Sequence, residues 1–152
     1  MRLTIASVGK FRGGPLEALY NEYASRLSWP LELKEVDEKK PLTGEKRKRR
    51  EAELLMKAIP DGAKVIALHE KGRAMSSTEF AKLMGQLADD GTQNVAFLIG
   101  GADGHCQTTL QGADRLLSLG PMTWPHLMVR GLLAEQLYRA TSILANHPYH
   151  RA

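Results

Sequence analysis

The chain has a single cysteine, Cys106, in 152 residues. No intramolecular disulfide can form, and no CxxC cradle for zinc or an iron–sulfur cluster exists. A lone thiol suits a reducing cytosol, and the expected location is cytoplasmic. No apolar run approaches the ~20 residues a membrane span needs, so no membrane partner is expected. The opening MRLTIASVGKFRGG has too short an apolar core for a signal peptide and reads as a first strand. A dinucleotide fingerprint after that strand is missing, and so is a P-loop lysine, which leaves NAD(P) and ATP readings poorly supported. Internal repeats, low-complexity tracts and long linkers are also missing, so residues 1–152 read as one domain with a real core.

What is present is ordinary for a globular protein: 43% hydrophobic and 25% charged residues. The pattern alternates. Arg2 to Val8 is a β-branched, apolar strand. Pro15 opens a helix in which Leu16, Leu19, Tyr20, Tyr23 and Leu27 recur at helical spacing up to about Ser28. Leu31 to Val36 alternates apolar and polar, as a strand near a sheet edge does. A helix over Glu45 to Ile59 is stopped by Pro60-Asp61-Gly62. Ala63 to Leu68 is a third strand, and Ser76 or Ser77 then caps a helix, with Glu79 placed for a capping box. Val95 to Ile99 is the most apolar strand and therefore central. Gln107 to Arg115 is weakly helical, Leu116 to Leu119 is a short strand, and the longest helix runs from about His126 to Asn146. Strand–helix repeated five times predicts an α/β fold with a doubly wound, mostly parallel sheet.

Three stretches carry candidate chemistry. In Asn94 to His126, two apolar strands end in Gly-bearing loops, Gly100-Gly101 with Asp103-Gly104, and Gly120-Pro121. Such loops permit close approach of a ligand to the backbone, and ligands bind beyond the carboxyl ends of strands in open α/β sheets. The alternative is two tight turns with no ligand. Net charge is +4, and Lys39, Lys40, Lys46, Arg47, Lys48, Arg49 and Arg50 fall together, opposed locally by Glu45. On a helix, Lys46, Arg47, Arg49 and Arg50 form either a solvated face or a phosphate-contacting one. Few aromatics interleave with them, so strand stacking is not indicated there. The tail Asn146-His147-Pro148-Tyr149-His150-Arg151 gathers two imidazoles, a phenol and a guanidinium after a long apolar helix. No carboxylate or thiolate stands near the two histidines, so no metal is expected. An acid–base or base-stacking role fits better. His105-Cys106 is a poor nucleophile pair, because adjacent side chains rarely meet. Glu135 and Arg139 read as an ordinary i,i+4 surface ion pair.

Four segments in order, FLIGGADG (Phe97–Gly104), LSLGPMTWPH (Leu117–His126), LLAEQLYRA (Leu132–Ala140) and NHPYHR (Asn146–Arg151), make a specific combination. With them the sequence resembles the RlmH family of ribosomal RNA large-subunit methyltransferases, in the SPOUT superfamily, over nearly the whole chain. The resemblance implies a SPOUT fold whose C-terminal part is threaded as a trefoil knot. It implies S-adenosylmethionine as cofactor, held by Leu68, Gly100, Gly101, Leu119, Gly120, Pro121, Met122, Thr123 and Trp124. It implies a homodimer through the C-terminal helix, and a pseudouridine of 23S ribosomal RNA, methylated at N3 in the assembled ribosome. Tyr149, His150 and Arg151 would reach the target base, with His150 as proton acceptor, Tyr149 orienting or stacking, and Arg151 holding an anion. Two rival readings remain: a SPOUT enzyme acting on tRNA, and a non-catalytic ribosome-binding factor with a vestigial pocket.

Overall fold

The computed structural model describes residues 1–151; Ala152 lies outside the described residues. Five strands, β1 (Arg2–Val8), β2 (Leu31–Val36), β3 (Lys64–Ala74), β4 (Asn94–Ile99) and β5 (Arg115–Ser118), alternate with five helices. These are α1 (Pro15–Ala24), α2 (Gly44–Ala58), α3 (Ser77–Asp89), α4 (Gln107–Gly112) and α5 (His126–Leu144). All strand pairs are parallel, in the order β2-β1-β4-β3-β5. The predicted α/β class, the central β4 and the edge position of β2 are all observed.

Alternation along the strands decides the layers. Val95, Phe97 and Ile99 of β4 face one side, with Leu3 and Ile5 of β1, and join Tyr20, Phe80, Met84, Leu133 and Leu137 of α1, α3 and α5. Ala96, on the opposite face of the strand, is buried as well. Leu98 faces the other side with Ala6, Val8, Val65 and Ala67, under Leu55 of α2. Both faces of the middle strands are thus covered, which is why β4 reads as a continuous apolar run. Each large side chain so buried contributes roughly 1.5–3 kcal/mol. The α3 start is fixed by Ser76: its Oγ accepts from the Glu79 N–H at 3.2 Å, and the Glu79 carboxylate accepts from the Ser76 N–H at 2.8 Å.

Three element boundaries depart from expectation by three residues or more. α1 ends at Ala24 and α4 at Gly112, both earlier than the pattern suggests. β3 runs on to Ala74, six residues past Leu68. Its extension is polar and shows no alternation. It exists because Leu117 of β5 aligns with Leu68 and again with Arg73, the intervening residues looping out. The close approach demands glycine: a Cβ on Gly72 would stand 2.7 Å from the Leu117 backbone. β3 and β5 therefore hold each other at the sheet end where the site forms.

Asp114 ties the other end of this pair, accepting from the Val65 N–H at 2.8 Å and from Lys64 at 3.2 Å. The Val65 N–H, first, and then Lys64 hold its carboxyl below the ordinary value of 3.8. A carboxyl depressed on folding stabilises above its unfolded value and loses that contribution as pH falls through the folded one. The prediction is that Asp114→Asn narrows the stability difference between pH 7 and pH 3 relative to the parent. Thermal melting at the two pH values checks it; an unchanged difference counts against the tie.

Candidate active site

The ends of β3, β4 and β5 meet at one place. A cleft of about 470 Å³ opens there, walled by Leu68, the Gly100–Gly104 loop and residues Leu119–Trp124. That volume lies within the range of small-molecule sites. Every residue expected to hold a cofactor lines this single cleft: Leu68, Gly100, Gly101, Leu119, Gly120, Pro121, Met122, Thr123 and Trp124. Its position, beyond the carboxyl ends of the strands, is where open α/β sheets place ligands.

The glycines explain why main chain forms the wall. Under Gly101, a Cβ would stand 3.0 Å from Val8 Cγ1 and 3.1 Å from a Glu51 carboxylate oxygen, so the loop lies flat on the protein. Gly104 (φ +77°) and Gly120 (φ +103°) have no atom within 4 Å of where a Cβ would stand. A side chain at either would occupy free space beside the cleft. The β5–α5 loop is braced from within: Ser118 Oγ donates to the Gly120 carbonyl at 3.1 Å and accepts from the Gly120 N–H at 3.2 Å.

The cleft also takes in residues that the sequence reading did not place at a cofactor, among them Lys48, His69, Glu70, His126 and Val129. None of these belongs to a Gly loop: α2 brings Lys48 from far along the chain, and the start of α5 brings His126 and Val129. His126 sits at the first turn of α5, where burial and then the neighbouring Arg130 hold its imidazole below the ordinary value of 6.5. Glu70 and Asp103 give the cleft carboxylates, while Leu68, Ile99, Leu117, Leu119 and Val129 give it apolar wall.

Beneath the cleft, Arg130 of α5 is fully buried. Its guanidinium donates to Glu35 (2.7 Å), Ser7 Oγ (2.9 Å) and the carbonyls of Val8 and Gly9 (2.9 Å each), and lies 4.6 Å from the centre of the Phe11 ring. Glu35 also accepts from the Phe11 N–H. One cation thus joins α5 to the exits of β1 and β2.

The tail lies elsewhere within the chain. Tyr149 rests on Tyr138 (ring centroids 4.6 Å), under the Arg139 guanidinium at 4.7 Å, and its hydroxyl donates to Glu135 at 3.0 Å. Burial, then hydrogen bonds to Tyr23 and Glu135, hold that phenol well above the usual tyrosine range. His150 Nδ1 lies 3.3 Å from Arg139 Nη1, and Arg151 is exposed. No described tail residue lines the Gly-walled cleft. The Glu135–Arg139 pair is more than an ordinary surface pair: it is half-buried and carries the tail. His105 and Cys106 do not pair. His105 Nε2 meets the Leu98 carbonyl at 3.2 Å and Cys106 Sγ meets Thr109 Oγ1 at 3.4 Å, both buried.

The basic helix needs correction. Arg47 pairs with the buried Glu51, and Arg50 is bound by Glu38 and Glu53; Lys48 pairs with Glu45. Of the four cations expected to form its polar surface, Lys46 and Arg49 have no ion pair among the described residues. No cluster of potential metal ligands occurs among the described residues, and no helix is long and apolar enough to cross a membrane.

Comparison with known proteins gives this geometry a lineage. The family model described as "Predicted SPOUT methyltransferase" matches residues 1–150. The protein named ribosomal RNA large subunit methyltransferase H from Paramagnetospirillum magneticum is 59% identical over 151 residues, covering 99% of each chain. Its namesake from Rhodospirillum centenum is 53% identical over the whole of both chains. Among solved structures, a protein from Bordetella pertussis described as a probable methyltransferase superposes with TM-score 0.58 at 16% identity, over 91% of this chain and 95% of that one. A probable methylase-family protein from Haemophilus influenzae gives 0.59 at 14%, over 95% and 66%. These two show the fold alone; the full-length identities show the family. The chain belongs to the SPOUT methyltransferases, in the family whose members are named ribosomal RNA large subunit methyltransferase H.

Proposed function

We propose that this chain is an S-adenosylmethionine-dependent methyltransferase that modifies N3 of a pseudouridine in 23S ribosomal RNA. It acts in the cytoplasm, on the assembled ribosome, as a single-domain homodimer joined through α5, with its C-terminal part threaded as a trefoil knot. The observation that carries the reading is the main-chain cleft at the ends of β3, β4 and β5, in a chain 59% identical end to end to a named large-subunit RNA methyltransferase.

The cleft fits the donor. Leu68, Ile99 and Leu119 offer apolar wall to an adenine; the loops 100–104 and 119–124 offer peptide N–H and C=O groups; Glu70 and Asp103 suit the ammonium of the amino-acid end or the sulfonium. When bound, S-adenosylmethionine supplies an electrophilic methyl on a sulfonium. The chain then has two tasks: to hold the target ring in line with that methyl, and to remove the N3 proton. His150 takes the proton, Tyr149 orients the ring and Arg151 holds the anion or a nearby phosphate. Within one chain Tyr149 and His150 lean on α5 and leave the cleft open, so the tail of a second copy is the natural source for each cleft.

Lys46 and Arg49, which make no ion pair among the described residues, contact RNA phosphates. Replacing both with alanine should flatten the dependence of ribosome binding on salt by roughly two counterions. Binding measured across a salt series checks this, and an unchanged slope contradicts it. So small a surface needs a preformed target, so turnover on intact ribosomes should exceed turnover on a naked stem-loop by at least about a hundredfold. The direct test is mass mapping of ribosomal RNA nucleosides from a strain lacking the protein. Loss of one N3-methylated pseudouridine in the large subunit is the expected result. An unchanged large subunit with a missing tRNA methylation favours the tRNA reading instead.

A further inference from the structure

A second cavity, of about 410 Å³, lies across the β5–α5 loop from the Gly-walled cleft. The two share Leu117, Ser118, Leu119, Gly120 and Trp124, so an occupant of one is a neighbour of an occupant of the other. Most of its wall is apolar: Met75, Phe80, Leu132 and Leu133 join the shared loop. Outside the shared loop, three polar side chains border it, Ser77, Gln136 and Glu135, and they form one connected chain. Ser77 Oγ donates to Gln136 Oε1 at 2.8 Å, and Gln136 Nε2 donates to Glu135 Oε2 at 2.8 Å. The other Glu135 oxygen accepts from the Tyr149 hydroxyl at 3.0 Å. The tail and the cavity therefore meet at Glu135.

This chain fixes the amide. A carboxylate only accepts, so the Gln136 end beside Glu135 is the NH₂ group, and the end beside Ser77 is the carbonyl. One N–H and one oxygen lone pair remain for a partner. A ring edge with a donor next to an acceptor satisfies both.

We infer that this second cavity receives the target ring, and that Gln136 reads its N1–H and O2 edge. The inference rests on the methyltransferase reading above. Pseudouridine is joined to ribose through carbon, so its N1 keeps a hydrogen. In uridine N1 carries the ribose and has none to give. Gln136 Oε1 accepts N1–H, and Gln136 Nε2 donates to O2. N3, on the far side of O2, stays unpaired and open to transfer. Trp124, on the loop shared with the donor cleft, covers a face of the ring. A site built to pair a polar group discriminates strongly against a ligand lacking it, because its own group is left unpaired. The amide thus selects pseudouridine over uridine without touching the reacting atom.

The test compares ribosomes that carry pseudouridine or uridine at the modified position and are otherwise identical. Initial rates give kcat/KM for the parent, Gln136→Leu and Ser77→Ala, with donor affinity by calorimetry and thermal melting alongside. The parent should prefer pseudouridine. In Gln136→Leu, kcat/KM on pseudouridine should fall about ten- to a hundredfold and the preference collapse towards unity, with donor affinity within about twofold of the parent. Ser77→Ala, which frees the amide to turn, should fall between, and it decides the matter should Gln136→Leu fail to fold. A parent without preference, or variants that lose rate and keep the full preference, overturn this inference and leave the methyltransferase reading intact. A parent that binds no donor, or methylates neither set of ribosomes, overturns both.

Discussion

Removing Tyr149 to Ala152 is expected to lower methyl transfer at least about a hundredfold and to leave donor affinity within about threefold of the parent. The first figure is the low end of what a positioned proton acceptor contributes. The second follows from geometry: the cleft is walled by Leu68, residues 100–104 and residues 119–124, and no described tail residue lines it. His150→Ala alone should reproduce most of the loss in kcat, because the remaining tail still packs on Tyr138 and Glu135. Tyr149→Phe separates the two roles of that phenol. It keeps the ring against Tyr138 and Arg139 but removes the bond to Glu135, so KM for the ribosome should rise more than kcat falls. Single-turnover rates with saturating donor, beside calorimetry, measure both quantities. Substantial turnover in the truncated chain removes the tail from the chemistry.

Arg130→Leu should cost about 3 kcal/mol of stability. Breaking a buried, hydrogen-bonded ion pair by removing one partner typically costs about 3–5 kcal/mol, and the low end applies because Glu35 keeps some solvent contact. For a chain of this size that is a fall in melting temperature of roughly 6–12 °C. The loss has several sources at once: Glu35, Ser7 and the Val8 and Gly9 carbonyls all lose their donor. Arg130→Lys should recover little, since one ammonium cannot reach all four acceptors. Function should suffer too. Arg130 sits one turn after His126 and two residues from Met128, whose N–H bonds the Pro125 carbonyl, so it anchors the helix that ends the cleft loop. Donor affinity should fall along with stability. A variant within about 1 kcal/mol of the parent would show that the guanidinium is not the clamp described here.

The sequence made the frame legible because periodicity reports burial. β4 is buried on both faces and reads as an unbroken apolar run; β2 is half-covered at the edge and alternates. The Gly loops were legible for the same kind of reason, since glycine marks where main chain is used closely. What stayed hidden depends on partners far apart in sequence. Arg130 lies in an apolar helix, and nothing local reveals that its acceptor is Glu35, 95 residues earlier. The cations of α2 look like a free surface until Glu38, Glu51 and Glu53 are seen to bind two of them. The β3 extension has no apolar pattern because it is held by backbone pairing to β5 rather than by burial. Glu135 and Arg139 have the spacing of a surface pair, and only the folded tail gives them a second task.

The central claim is that the strand ends form a main-chain seat for a sulfonium methyl donor. Calorimetry of the intact protein with S-adenosylmethionine tests it most directly, with Gly120→Val as the control that fills the free space beside the cleft. Saturable binding of one donor per cleft by the parent, lost or weakened at least about tenfold in Gly120→Val while the fold persists, is the predicted result. No saturable binding by the folded parent, or binding indifferent to Gly120→Val, would contradict it.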